Sequence, residues 1–188
     1  MGDEEQHVVG LTVPADRAED LGREIAGWLV DRRIIEINQG RNEPYNPGAY
    51  HPGEHWRDAL AEPPPTSEDP VGRVDVHTGR QVFGMGEFAG AWGCPACGFR
   101  VETEMVEAII GESEKEYSFL EAWEAGDEPR RTCERCGHAS LVGDWRDVSS
   151  AVAHLGLTFT NWPPLSDGFV ATMGARLGPR TILVHAHI

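Results

Sequence analysis

The chain has 188 residues, 40% of them hydrophobic, and a formal net charge of −15. The apolar content builds a core, and the length suits one large domain or a domain with a small insert. An acidic surface of this size repels phosphate backbones and anionic lipid heads, so it counts against nucleic-acid and membrane partners and favours basic protein partners. The opening Met1-Gly2-Asp3-Glu4-Glu5 is acidic where a secretory signal carries positive charge, and no apolar run reaches membrane-spanning length; the expected location is cytoplasmic.

Val8–Val13 alternates apolar residues and predicts a first strand. Pro14 suits the first position of a helix whose apolar face is Ala18, Leu21, Ile25 and Leu29. Ile34–Ile37 predicts a short second strand. Residues 38–72 hold many prolines and glycines, among them Pro44, Pro47, Pro52 and the run Pro63-Pro64-Pro65, and read as a long loop. Tyr45, Tyr50 and Trp56 give part of that loop a reason to pack on the body. Val74–Val76 and Gln81–Phe83 flank His77-Thr78-Gly79-Arg80 and predict a hairpin with glycine in the turn.

From Phe88 to Trp145 the chain carries all four cysteines. Phe99–Val106 alternates like a strand, Ser113–Ala125 has helical composition, and Ala139–Trp145 fits a strand. Farther on, Asp147 caps an expected helix with Val148, Val152 and Leu155 on one side, ending at Gly156. Leu157–Thr160 reads as a strand and Asn161-Trp162-Pro163-Pro164 as a turn. Ser166 caps a helix with Phe169, Val170, Met173 and Leu177 inward, stopped by Gly178-Pro179, and Thr181–Ile188 is a final strand. The strand–helix–strand order predicts that the last two strands are parallel neighbours.

The cysteines form two matching knuckles, Cys94-Pro95-Ala96-Cys97-Gly98 and Cys133-Glu134-Arg135-Cys136-Gly137, with 35 residues between the inner pair. Each C-x-x-C turn lets two sulfurs face one ion, and the following glycine tolerates the positive φ of so tight a turn. Four thiolates make a tetrahedral cage suited to Zn²⁺. These knuckles resemble those of the zinc-ribbon group, including rubredoxin, over about a third of the chain. The resemblance implies Cys94, Cys97, Cys133 and Cys136 as ligands, with an inserted helix in the long interval. Rubredoxin itself binds iron, so iron is the alternative to structural zinc. A complete four-cysteine shell leaves no open position for water or substrate.

Other patterns carry less. His51-Pro52-Gly53-Glu54-His55 matches the inverted zinc-protease pattern, but Pro52-Gly53 opposes the helix that pattern needs. His185 and His187 share one face of the final strand, and His138 beside Cys136 is expected either to support the sulfur ligands from outside or to face solvent. Gly84–Gly90 lacks phosphate-loop spacing, and the tryptophans Trp92, Trp123, Trp145 and Trp162 are expected in packing roles.

The expected fold is α+β: a mixed sheet with flanking helices and an inserted Cys₄ zinc ribbon. Residues 1–87 give the first part of the body, 88–145 the ribbon, and 146–188 a helix–strand–helix–strand that completes the body. The leading functional expectation is a zinc-stabilised, non-enzymatic accessory or protein-interaction protein. A nucleic-acid-binding ribbon is the second, supported only by Arg130, Arg131, Arg135 and Arg146. An enzyme with a pocket containing His51, His55, His185 or His187 is the third.

Overall fold

The structure, a computed structural model, describes residues 2–39, 49–62, 72–84, 91–102, 122–123, 125–128, 130–141, 144–145 and 151–188. Expectations resting on Tyr45, Pro63–Pro65, most of Ser113–Ala125, Gly86–Gly90, Arg146, Asp147 and Val148 lie outside them.

The body is an α+β unit built on a six-stranded sheet. Its strands are β1 (Glu4–Gly10), β2 (Ile35–Ile37), β3 (Tyr50–Pro52), β4 (Arg73–Phe83), β9 (Ala151–Thr160) and β10 (Thr181–His187), in the spatial order β10-β1-β9-β4-β3-β2. Each neighbouring pair is antiparallel. Helices α1 (Ala15–Asp31) and α2 (Asp167–Leu177) lie on one face. Two further hairpins, β5 (Ala91–Gly93) with β6 (Arg100–Glu102) and β7 (Arg130–Thr132) with β8 (Ala139–Leu141), carry the knuckles.

The core follows from the apolar periodicities. Ala18, Ile25 and Leu29 of α1 and Phe169, Met173 and Leu177 of α2 are buried against Val8, Val74, Leu155, Leu157 and Phe159 of the sheet. The Ser166 hydroxyl accepts from the Phe169 N–H at 3.1 Å, so α2 starts where its cap predicts. Trp56 and Trp162 meet edge to face at 5.8 Å, and Phe159 meets Trp162 at 5.1 Å. The proline-rich interval is therefore tied down in part. It contains β3 and a 3₁₀ turn, Trp56–Ala59, and Leu60 bridges to Leu165.

Gln6 is buried but fully used. Its amide donates to the carbonyls of Trp162 and Pro163 at 3.0 and 3.1 Å and accepts from the Leu165 N–H at 2.9 Å. Asn161, at φ 57, clasps Glu4 through backbone and side chain. The turn before α2 is thus welded to β1.

Three expectations need correction. First, residues 151–155 are not the end of a helix. They begin β9, a central strand buried along almost its whole length, and over Ala151–Leu155 periodicity cannot separate a buried strand from a buried helix. Gly156 is therefore mid-strand rather than a helix stop, and a Cβ there would lie 2.5 Å from Phe83 Cζ. Second, 73–83 is one strand, not a hairpin. Its register against β9 shifts between Thr78 and Gln81, and Gly79 at φ 93 marks a bulge. Third, β9 and β10 run in the same direction but are not neighbours, because β1 is inserted between them and pairs with both.

Candidate metal centre

Each knuckle is built by the same local bonds. In the first, the Gly98 N–H donates to the Cys94 carbonyl at 2.9 Å and the Cys94 N–H to the Phe99 carbonyl at 2.8 Å. In the second, the Gly137 N–H donates to the Cys133 carbonyl and the Cys133 N–H to the His138 carbonyl, both at 2.8 Å. Gly98 and Gly137 have φ of 67° and 70°, with open space where a Cβ would stand. Backbone conformation, not crowding, selects glycine at both positions.

The two knuckles face each other. Cys94 Sγ lies 3.8 Å from Cys136 Sγ, and Cys97 Sγ lies 3.8 Å from Cys133 Sγ. All four sulfurs fall within 4.8 Å of one another. A disulfide requires about 2.05 Å, and all four cysteines are free. A tetrahedron with metal–sulfur bonds of about 2.3 Å has edges of about 3.8 Å, which is the separation of both cross-knuckle pairs. The donor set and its spacing therefore fit one metal ion.

Electrostatics point the same way. Desolvation raises the Cys94 thiol, but the N–H groups of Cys97 and Ala96 and the neighbouring thiols of Cys133 and Cys97 outweigh it and bring it to about 7. At Cys136 the His138 N–H pulls downward, while Cys97, desolvation, Cys133 and Cys94 push the thiol to about 12. The first proton leaves easily, and the last is held by hydrogen bonding among the sulfurs and by desolvation. A bound cation takes the place of these protons.

Cys94 and Cys133 are buried with Trp145 and Phe99, whereas Cys97 and Cys136 are exposed. The Arg131 guanidinium lies 5.0 Å above the Trp145 ring. Arginines also tie this region to the body. Arg80, at the β4 bulge, donates to the carbonyls of Trp123 and Asp127, pairs with Glu128, and stacks 4.3 Å over Trp123. The Trp123 indole donates to the Gln81 carbonyl at 3.2 Å. Arg180 donates to Asp144 at 3.0 Å.

The histidines named from the sequence do not converge. His51 is in β3, and His55 precedes the 3₁₀ turn, so no helix presents the pair. His51 lines a cavity of about 460 Å³ with Arg33, Glu36 and Glu54. His185 and His187 lie on β10 at the opposite edge of the sheet, where His187 contacts Glu4 at 2.7 Å. His138 is exposed beside the second knuckle. Two histidines outside that set do share a cavity. His7 and His77 line a space of about 430 Å³ on the sheet face away from the helices. The alternation in β1, with Gln6 and Val8 facing the helices and Glu5 and His7 the other way, is the signal that would have found His7. For His77 the hairpin reading hid it.

No protein-family model, curated protein or solved structure matches this chain. Among the described residues, no helix is long and apolar enough to cross a membrane.

Proposed function

We propose that this chain is a zinc-stabilised, non-enzymatic accessory protein that works by binding a partner protein. The observation that carries this reading is the four-sulfur cluster. Cys94, Cys97, Cys133 and Cys136 would hold the ion, and four thiolates fill a tetrahedral shell with no position left for water or substrate. Such an ion cross-links two hairpins and leaves the exposed knuckle tips as a presented surface. Zinc suits this sulfur set at neutral pH, and iron is the ion that elemental analysis must exclude. The net charge of −15 favours a basic partner. The arginines behind the nucleic-acid alternative are engaged internally in part: Arg131 lies over Trp145, and Arg130 donates to the Ala139 carbonyl.

The test is affinity capture on zinc-loaded chain, beside the Cys94→Ser/Cys133→Ser variant, over a series of salt concentrations. The reading expects a protein whose retention requires the loaded ribbon and falls as salt rises. Recovery of the same proteins by both chains would overturn it. Capture of nucleic acid with a steep salt dependence would favour the alternative.

A further inference from the structure

Three cross-strand rows stand on the sheet face turned away from α1 and α2. They are Glu5–Thr160–Arg73, His7–Thr158–Asp75 and Val9–Gly156–His77. Phe83 lies over Gly156, with the rings of His7 and His77 each 5.8 Å from it. Glu5, His7, Arg73, Asp75, His77 and Thr158 line the resulting cavity of about 430 Å³, a volume typical of small-molecule sites.

The charges in this cavity do not balance. Asp75 is fully engaged: one oxygen accepts from the Ala49 N–H at 3.0 Å and the other from Arg73 Nε at 3.2 Å. Glu5 has no such partner. Its side chain is only 12% exposed, and its neighbours are the Thr160 hydroxyl at 3.3 Å and His7 Nε2 at 3.4 Å. Among the described residues no arginine or lysine pairs with it. His7 does not supply the missing charge. Burial, with His77 and His185 adding, lowers its pKa to about 4, so the ring is neutral at pH 7. The His7 side chain is 5% exposed, and Nδ1 bonds the Thr158 hydroxyl at 2.9 Å. Nε2 makes no hydrogen bond, and in the tautomer whose Nδ1–H donates to Thr158 it is an acceptor, which the Glu5 carboxylate cannot satisfy. A largely buried carboxylate without a cation and a buried nitrogen without a partner stand side by side, and each is costly as it stands.

We propose that this cavity binds a primary ammonium group on a short alkyl chain, with Glu5 as its counter-charge and His7 Nε2 as a neighbouring acceptor. An ammonium nitrogen about 2.9 Å from Glu5 Oε2 answers both needs after a small turn of the carboxylate, because its three donors diverge. Phe83 and Ala186 offer apolar wall to the alkyl chain. A metal ion fits less well. Among the described residues no third histidine, cysteine or carboxylate donor joins Glu5 and His7 closely enough to complete a cluster. The inference is independent of the partner reading, since it uses neither the ribbon nor the surface charge.

The source of the ammonium is open to one experiment with two probes. 1,4-Diaminobutane represents a free amine, and Nα-acetyl-lysine amide represents a lysine side chain of a protein. Each is titrated into zinc-loaded chain while the imidazole signals of His7 and His77 are followed by NMR, with sodium acetate as the control. Saturable shifts with at least one amine, and none with acetate, are expected. Glu5→Gln keeps the shape and should weaken binding about tenfold or more. Ala186→Leu, which fills the cavity and leaves Glu5 in place, should also abolish the shifts. Glu36→Gln, beside the other cavity, should leave them intact. The tighter probe identifies the source. No saturable shift with either amine, or equal affinity in Glu5→Gln, would overturn the proposal.

Discussion

The sheet body and the two cysteine hairpins fix their backbones by opposite means. The body buries a continuous apolar cluster from Val8 to Leu177 between one sheet face and two helices. The hairpins have three-residue strands, and among the described residues their buried cluster is Cys94, Cys133 and Trp145 with Phe99 packed against it. So small a cluster cannot offset the entropy of ordering four short strands. What replaces the core is a cross-link through sulfur. Among the described residues, the two regions are joined by the contacts of Arg80 and Arg180 and by Trp123. The body should therefore survive loss of the metal, and the hairpins should not.

The largest expected effect breaks that comparison at the metal. Structural zinc contributes about 10–16 kcal/mol in zinc-finger peptides at neutral pH. Chelation, or Cys94→Ser with Cys133→Ser, should erase amide protection in β5–β8 while β1, β4 and β9 stay protected. Hydrogen exchange reads this strand by strand, and a uniform loss through the body would mean the regions fold as one.

The reciprocal change strikes the core. Phe159 is fully buried among Trp162, Phe169 and the sheet. Phe159→Ala should cost about 3–5 kcal/mol by denaturant unfolding, a large part of the stability of an ordinary domain. Metal stoichiometry of the variant should be unchanged.

Much of this contrast could be read from residue order, because it rests on local chemistry. The duplicated C-x-x-C-G turns require only backbone geometry and thiols, and both formed as expected. Helix α1 and helix α2 were legible for the same reason: one apolar stripe each and, for α2, a serine cap and a glycine stop. What failed depended on partners distant in sequence. Ala151–Leu155 looks helical until β4 pairs along it. Gly79 looks like a turn until β9 continues past it as a pairing strand. The Glu5–His7–His77 cavity arises from strands that meet only in the folded sheet, so no motif announces it.

A third prediction sharpens the account of the body through pH. The His7 pKa is lowered from 6.5 to about 4 in the folded chain. The unfolded chain therefore takes up this proton first on acidification. The stabilisation from neutral His7 is complete above about pH 6.5 and is lost as pH falls toward 4, about 2 kcal/mol of it between pH 7 and 5. Acid also strips thiolate-bound metal, so the comparison is with His7→Gln at matched metal loading. That variant should lose less stability than the parent over the same interval, and an identical loss would remove His7 from the account.

The smallest expected effect concerns the tether. Arg80→Ala removes two carbonyl contacts, the Glu128 pair and the stack on Trp123. Because Arg80 is partly exposed, the cost to global stability should be about 1 kcal/mol. Metal affinity should hardly change, while exchange of the Trp123 indole N–H accelerates.

The central claim is that four distant thiols close on one ion. Elemental analysis of purified chain, with thiol counting before and after denaturation in chelator, tests it directly. The account predicts one zinc per chain, no reactive thiol while the metal is bound, and four after its removal, with zinc absent from the Cys94→Ser/Cys133→Ser variant. Reduced chain that carries no metal yet keeps its hairpins ordered, or sulfurs recovered as disulfides, would contradict it.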